Sequence, residues 1–202
     1  MILILDESGS MASLQDATIE GVNSLVAKQK QDPGDFTTSL YKFNDRVSNH
    51  DVFIELNKML YCPCGSTALF DAVCTAVDKE GEMLRRKPES ERPDKVIVVI
   101  VTDGQENASR EFKIDDVKSR VKTQEEQYNW QFVFLGANID AFATGSSYGI
   151  TTRSTMQWTP TASGILSAYA SVSESMTLYK AGVMNCVDLS NVSQQANTNV
   201  TA

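Results

Sequence analysis

The chain has 202 residues, of which 42% are hydrophobic and 22% charged, a composition typical of one globular domain. Its 18 Lys and Arg residues against 26 Asp and Glu residues give a formal net charge of -8, which argues against a protein held on nucleic acid or anionic membranes by phosphate contacts. Its only histidine, His50, excludes a zinc site with two or more histidine ligands. No apolar run approaches the ~20 residues that a membrane span needs.

The N-terminal residues and the cysteines bear on the compartment. The first residues show no basic region, long apolar stretch or small-residue cleavage site, so we expect a cytoplasmic protein. Of the four cysteines, Cys62 and Cys64 are separated by one proline, too close for an ordinary disulfide, and the set lacks the spacing of a zinc module. We therefore expect reduced thiols, with Cys64 packed beneath a loop and Cys74 on the apolar side of a helix.

Three apolar runs predict buried strands of a parallel sheet. Residues 95–101 read Lys-Val-Ile-Val-Val-Ile-Val, a β-branched run typical of a central strand covered on both faces. Residues 1–5 and 132–135 have the same apolar character. Residues 36–43 and 47–56 predict two strands joined by an Asn-Asp turn, which is typical of a hairpin at a sheet edge.

Between these runs, apolar residues recur at the spacing of amphipathic helices. The three sets are Ile19, Val22 and Val26; Leu69, Ala72, Val73, Ala76 and Val77; and Ile114, Val117 and Val121. The pattern at residues 13–16, Ser-Leu-Gln-Asp, predicts that the first helix begins in a capping box. The last third predicts a short helix from about Asp140, a strand at residues 154–158 and a closing helix over residues 165–179.

Strands that alternate with helices predict an α/β fold. The specific expectation is a Rossmann-like three-layer sandwich, with a mostly parallel central sheet, one antiparallel edge strand and helices on both faces. No internal repeat or interdomain linker is evident. We therefore expect one domain over residues 1–182, followed by a polar and flexible tail at residues 183–202.

Oxygen-bearing side chains follow the predicted strands in three clusters. Residues 6–10 read Asp-Glu-Ser-Gly-Ser after the first strand, residues 65–67 read Gly-Ser-Thr before the second helix, and residues 102–104 read Thr-Asp-Gly after the central strand. Ligands of an open parallel sheet bind beyond the carboxyl ends of its strands, so these clusters are expected to converge. Hydroxyl and carboxylate oxygens suit a hard divalent cation such as Mg²⁺, Mn²⁺ or Ca²⁺.

The order and placement of the three clusters resemble von Willebrand factor type A (vWA) domains that carry a metal-ion-dependent adhesion site. The matching residues are Asp6, Ser8, Ser10, Thr67 and Asp103. The resemblance implies that the three hydroxyls bind the metal directly and that the two carboxylates act largely through water. The resemblance covers nearly the whole chain. The matching stretches are similar to those of free-standing bacterial and phage members of the family. Those members usually carry Gly-Gly-Thr where this chain has Gly-Ser-Thr.

Together these observations favour a non-enzymatic, divalent-cation-dependent protein-binding module. The resemblance implies that Mg²⁺, Mn²⁺ or Ca²⁺ completes its coordination with an Asp or Glu of a protein partner. Two alternatives stay open: a metal-free structural or assembly protein on the same scaffold, and a Mg²⁺-dependent hydrolase of the haloacid-dehalogenase type. The second is disfavoured because such enzymes use Asp-x-Asp, whereas this chain has Ser8 in the third position. The oligomeric state is left open.

Three residues beside the clusters have more than one possible role. Asp71 could hold a metal-bound water, but we expect it to accept hydrogen bonds from nearby backbone. Glu106 and Asn107 could face a partner or simply belong to an exposed loop. We also expect Trp130 and Trp158 to be core or rim aromatics.

Overall fold

The computed structural model describes residues 1–50 and 55–190. Its strands are β1 (Ile2–Asp6), β2 (Ser39–Phe43), β3 (Val47–His50), β4 (Ile97–Thr102), β5 (Gln131–Gly136) and β6 (Thr155–Gln157). Its helices are α1 (Gln15–Gln31), α2 (Leu69–Arg86), α3 (Ile114–Tyr128), α4 (Ala141–Ser147) and α5 (Ala162–Lys180). Short 3-10 turns occupy Gly9–Leu14, Glu89–Glu91 and Thr152–Ser154.

The six strands form one sheet in the order β3-β2-β1-β4-β5-β6. The β2–β3 pair is antiparallel, and the other four pairs are parallel. Every residue of β1 and β4 is buried, because alternate side chains pack against helices on opposite faces. The structure confirms the predicted α/β sandwich with one antiparallel edge strand.

Two helical layers enclose the sheet. On one face Leu3 and Leu5 pack in a cluster with apolar residues of α1 and α5. On the other face Ile2 and Ile4 pack with apolar residues of α2, α3 and α4. Trp130 and Trp158 are 4% and 5% exposed, which confirms their assignment as core aromatics. This packing fixes the strand ends, and therefore the loops that follow them.

The first helix begins within the predicted residues 13–16, but the predicted cap is absent there. Instead of a capping box at residues 13–16, a 3-10 turn runs over Gly9–Leu14, and α1 begins at Gln15 with no side-chain cap hydrogen bond. Met11 and Leu14 are buried in the turn. Burial of these two apolar side chains outweighs the ~1 kcal/mol that a side-chain cap contributes.

The edge hairpin is shorter than predicted. β2 begins at Ser39 rather than at residue 36, and residues 55 and 56, at the end of the second predicted strand, lie outside any strand. Residues 51–54, which carry part of the predicted alternation, lie outside the described residues. Leu56 is buried outside any strand: its backbone N–H donates to Asn23 Oδ1 at 2.7 Å, and Asn23 Nδ2 donates to its carbonyl at 2.9 Å. Asn23 therefore satisfies the backbone groups that a strand partner would otherwise pair.

The C-terminal part follows the prediction through α5 and then continues in the core. Val187 and Leu189 are 0% exposed, and Leu189 donates its N–H to the Arg153 carbonyl at 2.7 Å. The packed unit therefore extends beyond the boundary expected at residue 182, while residues 191–202 lie outside the described part. Among the described residues, no helix is both long enough and apolar enough to cross a membrane.

Candidate metal centre

The ends of β1 and β4 place the first and third clusters side by side. Leu5 pairs with Val101 in parallel register, so Asp6 and Thr102 are neighbours at the carboxyl edge. Asp6 is fully buried, and its two carboxylate oxygens accept hydrogen bonds from Ser8 N at 2.7 Å and Thr102 Oγ1 at 2.6 Å. The first bond shapes the turn after β1, and the second ties that turn to β4.

A chain of hydroxyls leads from this turn to the second carboxylate. Ser8 Oγ and Ser10 Oγ are 3.1 Å apart, and Ser10 Oγ donates to Asp103 Oδ1 at 2.5 Å. Ser8 and Asp103 are buried, whereas Ser10 is exposed. The group is therefore closed toward the sheet and open to solvent at Ser10.

Thr67 completes the set from the loop before α2. A Cβ built on Gly104 would lie 3.7 Å from Thr67 Oγ1 and 4.0 Å from Ser10 Oγ, so the two hydroxyls flank the same point. Asn107 fixes the backbone of Thr67 by accepting its N–H at 2.9 Å and donating to its carbonyl at 3.0 Å. All five predicted residues thus lie at one edge of the sheet, and their role as metal ligands stays a prediction.

Backbone hydrogen bonds join the first and second loops directly. Gly9 N donates to the Gly65 carbonyl at 3.0 Å, and Cys64 N donates to the Glu7 carbonyl at 2.8 Å. Gly65 has φ +78, a conformation that favours glycine. The loop before α2 is therefore held against the turn after β1 independently of the hydroxyl contacts.

Tyr61 supports the centre from below and was not identified from the sequence. Its hydroxyl donates to the Asp6 carbonyl at 2.8 Å, and its side chain is fully buried. Burial raises the pKa of Tyr61 far above its usual value, so the hydroxyl stays a donor. No local pattern could have indicated this contact, because Tyr61 lies in an irregular loop far from Asp6 in sequence.

The acidic side chains near the loop after β4 accept hydrogen bonds from backbone N–H groups. Glu106 accepts from Phe70 N at 3.0 Å and from Ser109 N at 2.7 Å, which fastens the loop after β4 to the start of α2. Asp71 accepts from Arg110 N at 2.8 Å and from two further backbone amides. The prediction that Asp71 binds backbone is confirmed, and Glu106 likewise serves as a local brace.

Burial and hydrogen bonding set the electrostatics of Asp6 and Asp103. Burial raises the pKa of Asp6, and the hydrogen bonds that Asp6 accepts from Ser8 and Thr102 oppose this shift. Burial also raises the pKa of Asp103, and the hydrogen bond from the Ser10 hydroxyl opposes it. Over residues 1–50 and 55–190, neither carboxylate takes part in an ion pair. Two buried carboxylates without a cation, lined by hydroxyl oxygens, match the donor set of a hard divalent ion.

The cysteines differ from the expectation in one respect. Cys64 is exposed, as is Cys62, so the prediction that Cys64 packs beneath the loop is wrong. The Cys64 backbone contacts the first loop by donating its N–H to the Glu7 carbonyl at 2.8 Å, and the thiol does not face that loop. Cys74 is 0% exposed on α2, as expected, and burial raises its pKa to about 12.

Comparison with known proteins gives structural matches alone. No family model and no curated protein matches the sequence. Proximal thread matrix protein 1 from the mussel byssus superposes with a TM-score of 0.61 at 14% identity, over 87% of this chain and 45% of that chain. A second structure of it is described as having a zinc-occupied MIDAS motif. The manganese-loaded TRAP protein of Plasmodium vivax superposes with a TM-score of 0.52 at 17% identity, over 75% of this chain and 63% of that chain.

These matches and the sheet order agree with each other. The present chain spans less than half of the mussel protein and under two thirds of TRAP. Both neighbours are vWA-domain proteins, and the six-stranded sheet with one antiparallel edge pair has the matching architecture. The chain therefore has a von Willebrand factor type A fold.

Proposed function

We propose that this chain is a divalent-cation-dependent protein-binding module whose ion is held at the carboxyl edge of the sheet. The observation that carries the proposal is the pair of buried carboxylates, Asp6 and Asp103, which lack a cationic partner among the described residues. Removing a charge from water costs several kcal/mol unless another charge compensates it. A divalent cation supplies that compensation, and zinc- and manganese-bearing neighbours with the same fold support it.

The five residues divide the work by position. Ser8, Ser10 and Thr67 offer hydroxyl oxygens to the ion, and Asp6 and Asp103 neutralise its charge. When bound, the ion supplies a Lewis-acidic position that a carboxylate of a protein partner can fill. Ser10 is the exposed member of the set, so a partner's Asp or Glu would approach from its side. We propose Mg²⁺ as the physiological ion and use Mn²⁺ as its probe.

The surroundings of the serines support a binding role rather than catalysis. In the part of the chain that the structure describes, the Ser8 and Ser10 hydroxyls contact each other and the Asp103 carboxylate, and neither contacts a histidine or lysine that could act as a base. The single histidine, His50, pairs with Leu40 of β2, three residues before the position level with Asp6. At ~3.3 Å per residue, this places it about 10 Å along the sheet from the centre.

Calorimetric titration tests the ion site. Wild-type protein is expected to bind one Mn²⁺, and Asp103→Asn to bind it at least about tenfold more weakly because it removes a compensating charge. Asp45→Asn is the matched control: Asp45 lies on the same edge and accepts from Ser66 N at 3.2 Å, a bond that Asn retains. Equal affinities for wild type and Asp103→Asn would contradict the proposal and favour a metal-free scaffold.

A partner test follows from the ion test. Immobilised protein should retain a protein partner from its native host in Mg²⁺ and release it when a chelator is added. Asp103→Asn should fail to retain the same partner, while Asp45→Asn should retain it. Recovery of the same protein by all three forms, with and without chelator, would show that the ion has no part in binding.

A further inference from the structure

Two cysteines, whose thiolates can bind soft metal ions, lie close together on the loop between β3 and α2. Cys62 and Cys64 flank Pro63, and both thiols are exposed. Neither belongs to the oxygen-lined centre described above. Thiolates are soft metal ligands, whereas the hydroxyl and carboxylate oxygens of that centre are hard ligands.

The backbone of this segment shows how the two thiols are oriented. Cys62 N donates to Glu7 Oε1 at 2.7 Å, and Cys64 N donates to Glu7 O at 2.8 Å, so both N–H groups point toward one residue. In an extended segment, N–H groups two residues apart point the same way, and so do the two side chains. Pro63 enforces this geometry because it disfavours helical backbone at Cys62. Both thiols are exposed, and this pattern of backbone donors favours the same side of the segment for the two of them.

The spacing of the pair favours a bridging ion over a disulfide. Residues two apart in an extended chain have Cα atoms about 6.6 Å apart. Disulfides join Cα atoms about 4.4–6.8 Å apart, most of them about 5.5–6 Å, so a disulfide here would lie at the wide end of that range. Two thiolates that share an ion at ~2.3 Å each span this separation more readily.

The surroundings fix the pair in place. Asn44 Nδ2 donates to Cys64 Sγ at 3.5 Å, which holds this side chain at the rim. Glu7, the acceptor for both backbone amides, is itself held by Lys42 Nζ at 2.9 and 3.1 Å in a buried ion pair. The two thiols thus stand on a braced backbone, which lowers the entropy cost of chelation.

A site with only two thiolate ligands suits some metal ions better than others. Zinc in structural sites takes four ligands, and among the described residues no group of three or more His, Cys, Asp and Glu side chains could hold a metal. A soft monovalent cation is satisfied by two sulfurs. We propose that Cys62 and Cys64 form a two-thiolate site for a soft monovalent d¹⁰ cation of the Cu⁺ class, separate from the oxygen-lined centre.

Anaerobic competition with a chromophoric Cu⁺ chelator tests this site. The reduced full chain is expected to take one Cu⁺ per molecule. Cys62→Ser and Cys64→Ser should each weaken binding by at least about 100-fold, because even changes outside the ligand sphere cost 10–100-fold. Cys186→Ser is the matched control and should bind as wild type does. Both target thiols are exposed, so the serine variants leave the core intact.

Three outcomes would overturn the inference. The first is full Cu⁺ affinity in either Cys62→Ser or Cys64→Ser. The second is one Cu⁺ per two chains together with a dimer in size-exclusion chromatography, which would mean that each chain gives one thiol. The third is displacement of Cu⁺ by saturating Mn²⁺, which would place both ions in one site. Retention of Cu⁺ by a protein that binds no Mn²⁺ would support the thiol site and count against the proposed function alone.

Discussion

Asp6 and Glu7 are adjacent in sequence and both buried, yet their charges are treated differently. Glu7 receives two hydrogen bonds from the Lys42 ammonium, at 2.9 and 3.1 Å, and one from Cys62 N. Asp6 receives a backbone amide and the Thr102 hydroxyl, with no ion pair in the described part of the chain. Glu7 is paired with a cation of the chain, whereas Asp6 has no cation partner among the described residues.

This difference separates an acid whose charge is balanced in the folded chain, Glu7, from one whose charge is available to the proposed ion, Asp6. A buried charge that is paired and hydrogen-bonded can persist without a ligand. Burial instead raises the pKa of Asp6 and of Asp103, which shows that their ionised forms lack full compensation. Asp32 extends the comparison, because hydrogen bonds from Thr177 and Lys180 lower its pKa against a smaller opposing effect of burial.

The largest expected effect comes from breaking the compensated pair. Lys42→Met leaves Glu7 buried without its cation and also removes the hydrogen bond from Lys42 Nζ to the Leu60 carbonyl. We expect the free energy of unfolding to fall by about 3–5 kcal/mol, the usual result when one partner of a buried pair is lost. Urea denaturation measures it.

Lys58→Met is the matched control for this change. Lys58 pairs with Asp16 at 2.7 Å, but the two side chains are 66% and 77% exposed. An exposed pair contributes little, so we expect a loss below about 1 kcal/mol. Equal losses in the two variants would contradict the claim that the buried charge of Glu7 depends on Lys42.

A smaller effect is expected at Gly65, in the loop before α2 that contacts the turn after β1. Its φ of +78 strains other residues, and a Cβ there would clash with Asp45 Oδ2 unless the Asp45 side chain moved. Gly65→Ala is expected to cost about 1–2 kcal/mol of stability. Because the Gly65 carbonyl accepts from Gly9 N, the variant should also weaken Mn²⁺ binding several-fold in calorimetry.

Gly34→Ala is the control that separates the loss of stability from the loss of Mn²⁺ binding. Gly34 has φ +95 and open space around it, so it shares the backbone strain but lies in the loop after α1. We expect a similar loss of stability, about 1–2 kcal/mol, with Mn²⁺ affinity unchanged. Weaker Mn²⁺ binding in Gly34→Ala would show that general destabilisation, rather than the loop contact, governs the ion site.

The smallest effect is a pH dependence at Asp32. Its folded pKa lies below the unfolded value of about 3.9, so the stability it contributes is present above that value and is lost as pH falls through the folded pKa. Thr177→Val removes the first cause of the shift, a 2.7 Å hydrogen bond. The difference in urea midpoint between wild type and Thr177→Val should therefore shrink from about pH 6 to about pH 3.

The Asp32→Asn background provides the control. Thr177 also donates to the Ser173 carbonyl at 3.0 Å, and that contribution does not depend on the charge of Asp32. In Asp32→Asn, the cost of Thr177→Val is therefore expected to be the same at both pH values. A pH-dependent cost in that background would assign the effect to another group.

The predictable parts of the fold are those that local patterns specify. The β-branched run of β4 and the helical spacing of α2 each bury one stretch of sequence in one way, so both were found. The 3-10 turn before α1 and the position of Leu56 outside a strand were missed, because burial of Met11 and the side chain of Asn23 override the local signal. Propensity is weaker than tertiary packing at such positions.

The sequence alone determined the strand-helix alternation and the five oxygen-bearing residues, since each belongs to a short motif next to an apolar run. Only the tertiary structure decided which buried acid has a cation, because Lys42 meets Glu7 across the β1–β2 pair. It also decided that Tyr61 supports Asp6 and that Cys64 faces solvent. Charge compensation and exposure depend on contacts between distant residues, and no local pattern encodes those contacts.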